Sequence, residues 1–528
     1  MIGIHLQLFN GTTPLVNLSG IQAMWWDVTE PKDGSKPDGK TITASTDSNG
    51  YINLDLSNVT DLGIGDYGFL MIYQPNAGNH EDSLVFAGKV QTADILTGAD
   101  MYFYESGWTR VSDWPLIAAP IAGVEKFQGI YAVYDIETAG NGVALYCEGA
   151  YHVDWGDGTS EDVPTATIAE HVYDYDNAIL GVACCRHYKC AVVTVTPQVG
   201  EHLTNLDLNK RHSNYSSVCI APWLDISINS EYLTQLTISD NAQLVRMSML
   251  EQVQLGENTV QDFTYLFRSC YTLKSLPVFN TSSAVIIAYM FYSCYSLADL
   301  PIFDTANVVD MQYAFYVCFS LERVPPLNTS NVENMNGTFR DCHTIRKLPL
   351  LDTSKVTTMS WTMAYCYALL KSPQFNTSAV LNMSNLFYNS YSLKQIPLLD
   401  TSKVTTALAM FRACYSLEYV PDLDFSSLLD SKEMFYYCLS LTEAPAINMA
   451  LVTGSLNMFL YCYSLKRSKV YQTGVTISYI NCCLGPDALN EIYENLKTGV
   501  TATITVTGNW GVSSDDPTKA PAGWTVTG

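Results

Sequence analysis

Residues 291 to 335 read FYSCYSLADLPIFDTANVVDMQYAFYVCFSLERVPPLNTSNVENM, and the second half of this stretch restates the first. Cys294 and Cys318, Leu297 and Leu321, and Pro301 and Pro325 each stand 24 residues apart. The same register runs through Cys270, Cys294, Cys318, Cys342, Cys366, Ser390, Cys414, Cys438 and Cys462 without an insertion or deletion, which makes nine units. Proline keeps the period from Pro277 to Pro445, and a Leu or Ile keeps it from Leu273 to Leu465. Catalysis rarely needs a residue nine times over, whereas stacking needs the same residue at the same height in every winding.

Each unit reads as Leu, two variable residues, an apolar residue and Pro, then an Asp/Asn-Thr turn, an apolar set and the Cys. Leu321 and Val324 suit a short strand that Pro325 ends, because proline has no N–H for a ladder. The Asp/Asn-Thr-Ser step can cap a helix start, and Val356, Met359 and Met363 then fall on one helical face. A lone unit cannot bury both of its apolar sides, so copies must stack, about 4.8 Å apart, with a parallel sheet on one side and helical turns on the other. The expected fold is mainly β with short helical turns, a leucine-rich-repeat-like solenoid preceded by two β-sandwich domains.

Units such as MFYSCYSLADLPIFDTANVVDM and MFRACYSLEYVPDLDFSSLLDS resemble the BspA-like leucine-rich repeats, and the resemblance covers residues 263–467. Upstream, HLTNLDL (202–208), YLTQLTISD (232–240) and LEQVQLG (250–256) read as degenerate coils of irregular spacing, so 201–262 is expected to be an N-terminal cap. Residues 1–110 alternate in short runs between Asn, Asp and Gly turns, as in a small β-sandwich. Within 111–200, YHVDWGDGTSEDV, EHVYDYDN and KCAVVTVTP follow in an order that resembles the PKD-type Ig-like sandwich, in which the WGDGT turn is a structural hallmark. That resemblance implies a spacer or binding module. At 468–528 a helix from about Asp487 to Leu496 followed by alternating strands is expected to cap the last coil. The closing strands and the leading β region resemble parts of BspA-like proteins encoded by bacteriophages and prophages.

Hydrophobic residues make up 48% of the 528 and charged residues 15%, which excludes a disordered chain. A formal net charge of -24 opposes a polyphosphate backbone, so nucleic acid is not an expected partner. The opening MIGIHLQLFNG lacks a basic n-region and an apolar h-region, no stretch reaches 18 apolar residues, and neither a secretory signal nor membrane insertion is expected.

The cysteine column invites a disulfide ladder, but stacked copies point in parallel and Ser390 interrupts the column, so reduced buried thiols are expected. Cys184, Cys185, His187 and Cys190 in CCRHYKC have zinc-type donors, yet adjacent cysteines in an alternating strand face opposite ways. No metal or cofactor is expected there. Asp154 and Asp157 are oxygen donors of the kind calcium takes, but a WGDG turn uses both for backbone geometry. There is no GxSxG, HExxH, Walker loop or dinucleotide fingerprint, and only eight histidines. The expectation is a protein without enzymatic activity, although a tailspike-like glycosidase could place paired carboxylates in space without a sequence signature.

Recognition should use what refuses to repeat. The two residues after each repeat Leu vary, and at the centre Arg346, Lys347, Lys371 and Lys394 make a positive ridge on an acidic protein, suited to an anionic glycan or protein. A second column follows the Cys, with Tyr295, Tyr367, Tyr391 and Tyr415 among its members; these rings either pack between coils or, if exposed, offer flat faces to sugars. Together these readings point to a binding or adhesion protein. The setting they suggest is a phage virion fibre or spike, assembled in the cytoplasm and joined to other virion proteins through its N-terminal domains, with a second copy of the chain as a further candidate partner. A bacterial cell-surface adhesin is the alternative.

Overall fold

The computed structural model describes residues 110–135, 141–181, 188–214, 219–239, 245–246, 249–300 and 303–528, together with eight strands within 1–109. The chain divides into two units at Thr109/Arg110. In the first, Lys40–Ala44, Ile21–Asp27, Tyr67–Tyr73 and Leu84–Lys89 form a four-stranded antiparallel sheet in that order, and Gly3–Gln7 pairs with Tyr51–Asp55.

In the second unit the region 126–197 and the coils share both of their sheets. Ser160–Val163, Tyr151–Asp154, Tyr188–Pro197 and Lys126–Tyr134 are antiparallel neighbours, and Trp223–Asn229 joins the open side of Lys126–Tyr134. From there the same sheet turns parallel, through Gln252–Leu255 to Ser275–Phe279. Opposite it, Ile168–Val172, Gly142–Cys147 and Asn205–Asp207 are antiparallel, and Gln235–Thr237 then adds in parallel. The sandwich thus covers the first coil's edge, and one apolar core runs from Phe127 to Val506.

The coils from Leu273 to Leu441 each bury Leu or Ile, the residue three further on and the residue six further on: Leu321, Val324 and Leu327 are inside while Glu322, Arg323 and Pro326 are out. A burial step of three suits an extended left-handed path better than a pleated strand. Among the described residues full strands accordingly occur only near the ends (Ser275–Phe279, Glu443–Asn448, Arg467–Tyr471), and the central coils keep isolated bridges such as Asp299–Arg323 and Lys371–Gln395. A second parallel ladder, unforeseen in the sequence, bridges Ile286, Asp310, Asn334, Thr358, Asn382, Thr406 and Asp430 in succession.

The segment between this ladder and the Cys is a ribbon of tight turns, not the expected helical turns. The N–H groups of Ile287, Tyr289, Phe291 and Ser293 donate to Asp310, Gln312, Ala314 and Tyr316 of the next coil, while Met290, Tyr292 and Cys294 donate back three residues. An α-helix would need those alternate N–H groups for its own carbonyls. The cost is two left-handed residues in each coil, with φ from 50° at Ala409 to 64° at Tyr461, at roughly 1–2 kcal/mol apiece for a residue with a Cβ. The Asp/Asn residues expected as helix caps bond the N–H two residues on, as Asp352 does to Ser354, and so close turns.

Two stacks line the inside. Phe267, Phe291, Phe315 and Phe339 lie 5.3–5.6 Å apart, Met363 interrupts them, and Phe387, Phe411, Phe435 and Phe459 resume at 5.3–5.7 Å. The eight cysteines of the column are free, and from Cys294 onward each Sγ donates to a phenylalanine carbonyl 27 residues earlier, at 3.0–3.2 Å. Ser390 makes the same bond to the Met363 carbonyl at 2.7 Å, which explains how a hydroxyl enters an apolar column. At the far end the helix Pro486–Glu494 packs on Arg467–Tyr471, and Ile477–Ser478, Ala502–Thr505 and Trp524–Thr527 form a parallel sheet.

Leu321→Ala is expected to cost about 2–5 kcal/mol in denaturant unfolding, since the side chain is fully buried in a central coil. Cys342→Ser should cost less than about 1 kcal/mol, because the bond to the Phe315 carbonyl survives.

Candidate binding surface

The coil geometry turns the two residues after most repeat leucines towards solvent, with Ala298 buried as an exception. Towards the amino-terminal side the column neutralises itself, since Arg323 holds Asp299 with two bonds of 2.6 Å. Towards the other end Arg467 does the same with Glu491. Between them Arg346, Lys347 and Lys371 are exposed on adjacent coils and have no carboxylate partner among the described residues. Lys394, on the following coil, is half-buried. Arg346 and Lys347 border a shallow groove of about 680 Å³ that Asp299, Glu322 and Arg323 close on the other side. The fold therefore gathers three of the four cations foreseen in the sequence into one ridge.

The aromatic column after the Cys is a continuous pile of rings. Tyr271, Tyr295, Phe319, His343, Tyr367, Tyr391 and Tyr415 follow one another at centroid distances of 4.4–5.0 Å, nearly parallel. Their faces are occupied by each other. Tyr367 is buried, and Tyr295, Tyr391 and Tyr415 show only part of their edges. Burial pushes the Tyr367 and Tyr391 phenols well above the ordinary range. Rings held in this way stabilise the coils and leave no flat face for a sugar.

A third column, two residues before the Cys, carries the most surface chemistry, and its 24-residue spacing was visible in the sequence although the adjoining Cys drew the reading away. Arg268 stands 5.1 Å from Tyr292, Tyr292 lies 4.9 Å from Tyr316, and Arg340 stands 5.0 Å from Tyr316. Ala364 leaves a gap in the column that Trp361 and Tyr365 close. The Arg340 guanidinium is 4.4 Å from Trp361, and Tyr388 is 5.3 Å from both rings. Arg412 then lies between Tyr388 and Tyr436. Alongside, Tyr265, Tyr289 and Tyr313 stack at 5.0 Å, and Gly337 ends their row: its φ is +61°, and a Cβ there would enter the Tyr313 ring. Asp341 and Glu433 bond Arg340 and Arg412, so these guanidiniums are fixed from two sides. The result is a half-buried edge of Tyr, Trp and Arg running across the coils.

In the sandwich, the WGDGT turn and the HVYDYD strand meet. Asp157 accepts from the N–H and hydroxyl of Thr159 and pairs with His171 at 2.8 Å, and His171 stacks on Trp155. Burial would raise the Asp157 carboxyl, but bonds from Thr159 and His171 outweigh it and hold the group below its usual range. Gly156, at φ +77°, sits where a Cβ would strike the Val192 backbone. Asp154 accepts from the Gly156 N–H, so both carboxylates shape the turn. No group of three or more metal-type side chains occurs among the described residues. Cys190 is half-buried, and Cys184, Cys185 and His187 lie outside the described residues.

Residues 253–348, 344–449 and 368–470 match a family model described as "Mycoplasma protein of unknown function, DUF285". The three overlapping matches fall on the coils and, with the 24-residue windings, fit a BspA-like repeat protein. No curated protein matches the chain.

His343 supplies a pH test of the ring pile. Full burial lowers its basicity, and the Asp341 carboxylate 3.7 Å from Nε2 opposes this only in part. The folded chain therefore binds this proton less readily than the unfolded chain, so stability is complete above about pH 6.5 and falls as pH drops through that value. Melting temperature should decline from pH 7 to pH 5, and His343→Phe should flatten that decline.

Proposed function

We propose that this chain is a non-enzymatic binding protein of the adhesion type that recognises a host surface through its solenoid. One observation carries the reading: a core held constant slot by slot supports an outward edge on which Tyr, Trp and Arg are already rigid. Interfaces are enriched in these three residues and depleted in Lys and Glu, because planar groups with few torsions lose little entropy on binding. The edge is thus the favoured contact, and a host glycan or protein is its partner.

In its more specific form the proposal places the chain in a bacteriophage virion as a fibre or spike, with the N-terminal sheet unit joining it to other virion proteins. The resemblance of the end segments to phage-encoded repeat proteins supports this setting. A second reading, a bacterial cell-surface adhesin, draws support from the family description, which names a cellular bacterium. Detection of the chain in purified particles would favour the first setting, and surface labelling of cells free of particles the second.

Attachment to host cells tests the edge in either setting. Tyr365→Ser combined with Tyr388→Ser should reduce attachment at least about tenfold, as loss of aromatic anchors does. Circular dichroism would confirm that the coils persist. Unchanged attachment by a folded variant would remove the edge from the proposal.

A further inference from the structure

The outward side of the central coils sets cations, open leucines and carboxylates in a fixed order that is complete on the winding of Ile345, with Lys347, Leu350 and Asp352. Lys347 and Lys371 stand two residues after the buried repeat Ile or Leu, and Asp352, Asp400 and Asp424 stand seven after it. Midway between them, five residues after it, Leu350 is 75% exposed and Leu398 is 64% exposed, beside the proline column. The two leucines stand on alternate windings with Gln374 between them, and large apolar side chains this open ask for a cover. A groove of about 950 Å³ runs along them, lined by Leu350, Gln374 and Leu398 and by the three aspartates. Each aspartate uses Oδ1 for the N–H two residues on, which fixes the carboxylate on the outside.

We propose that two copies of this chain pair face to face and run parallel, about a two-fold axis along the Pro–Leu stripe. The order basic, apolar, acidic is self-complementary under only one in-plane rotation. An axis parallel to the solenoid brings Lys347 of each copy to Asp352 of the other and Leu350 to Leu350, whereas an axis across it sets lysine against lysine. Along the run Lys371 comes to the height of Asn376, between two aspartates, while the winding of Asp400 presents Gln395 in the lysine slot, Lys394 standing one residue earlier and half-buried. Lys355 and Lys403 lie beyond the acidic stripe, and Lys355 is held by Asn331, outside the paired strip. The windings from Ile345 to Leu417 that carry these residues span three steps, about 14 Å of the axis, so the matched charges and leucines lie at the centre of the face. A pairing of this kind goes beyond the adhesive reading. It employs the lysine ridge and leaves the Tyr/Trp/Arg column, on the ribbon of turns, to other partners.

Sedimentation of the full chain tests it. The unaltered protein should sediment as a dimer that dissociates as salt rises. Lys347→Glu alone and Asp352→Lys alone should each weaken self-association at least about tenfold, because each sets like charges across the axis twice. Mixing the two single variants should restore a dimer of the original strength, since both cross-axis pairs are then opposite in sign. Leu350→Glu, on the axis, should dissociate the pair and should not be rescued by mixing. Melting curves of these exposed variants should match the unaltered chain. A monomer at the highest soluble concentration, single variants that remain dimeric, or a mixture that stays monomeric would each overturn the proposal. None of these results depends on attachment to host cells, so the pairing and the adhesive reading fail separately.

Discussion

Hydrogen bonds from the turn ribbon of one coil to the ribbon of the next govern the rest of this structure. Four N–H groups per winding point along the solenoid axis, as those of Ile287, Tyr289, Phe291 and Ser293 do. To aim them that way the backbone accepts left-handed residues that glycine occupies only at position 337 among the nine units. Such strain persists where the surroundings over-determine it. Here the determinant is the neighbouring winding, so a coil is stable only when the next one is in register. A single inserted residue would shift four donors and both aromatic stacks together, which accounts for nine units without an insertion or deletion.

Stacking of this kind leaves two open ends, and the ends are where the regular pattern stops. The first coil continues the antiparallel sandwich strand Lys126–Tyr134 through Trp223–Asn229, so its edge is never free. The last windings shorten: the thiol bond of Cys482 reaches back 23 residues to Phe459, not 27, and a helix and short strands take over. The cover on the first coil keeps that edge from adding foreign strands, the standing hazard of parallel stacks. The region 126–197 is therefore a cap on the first coil, because its sheets and its core are those of the solenoid.

Much of this was legible because stacking writes itself into sequence. Leu321, Cys318 and Phe315 recur since each must touch its copy, and the mainly β solenoid follows from that alone. The ribbon was misread as helical for a definite reason: Val356, Met359 and Met363 are spaced as on a helix face, and successive turns closed three residues back produce the same spacing. Which carbonyl an N–H chooses is a tertiary matter that no spacing records. The strands were over-read because Pro was taken as a stop, whereas it marks an extended path with burial every third residue. Of the candidate site, the lysine ridge was visible as an irregularity in a regular text. The Tyr column after the Cys was visible too, but whether its rings face water or each other depends on the 4.4–5.0 Å step. The Arg and Tyr column two residues before the Cys escaped because alternation of two residue types in one slot looks like variation until the cation is seen lying on the ring.

That alternation shows how a stacked protein can vary its surface. In the slot of Arg268, Tyr292, Tyr316 and Arg340 a side chain rests on the ones above and below, so change is confined to partners that stack, and guanidinium on phenol satisfies this as well as phenol on phenol. Lys347 and Lys371 rest on no such partner among the described residues, and the chain is free to place charge there. Freedom has a consequence. Like charges one winding apart repel by about 1 kcal/mol even with full water screening. Asp299 and Arg323 avoid this by alternating in sign, as do Arg467 and Glu491. A run of unpaired cations at the centre of the same slot, on a chain of net charge -24, is thus a local exception to a rule the protein otherwise keeps, and relief of that repulsion has to come from outside the column.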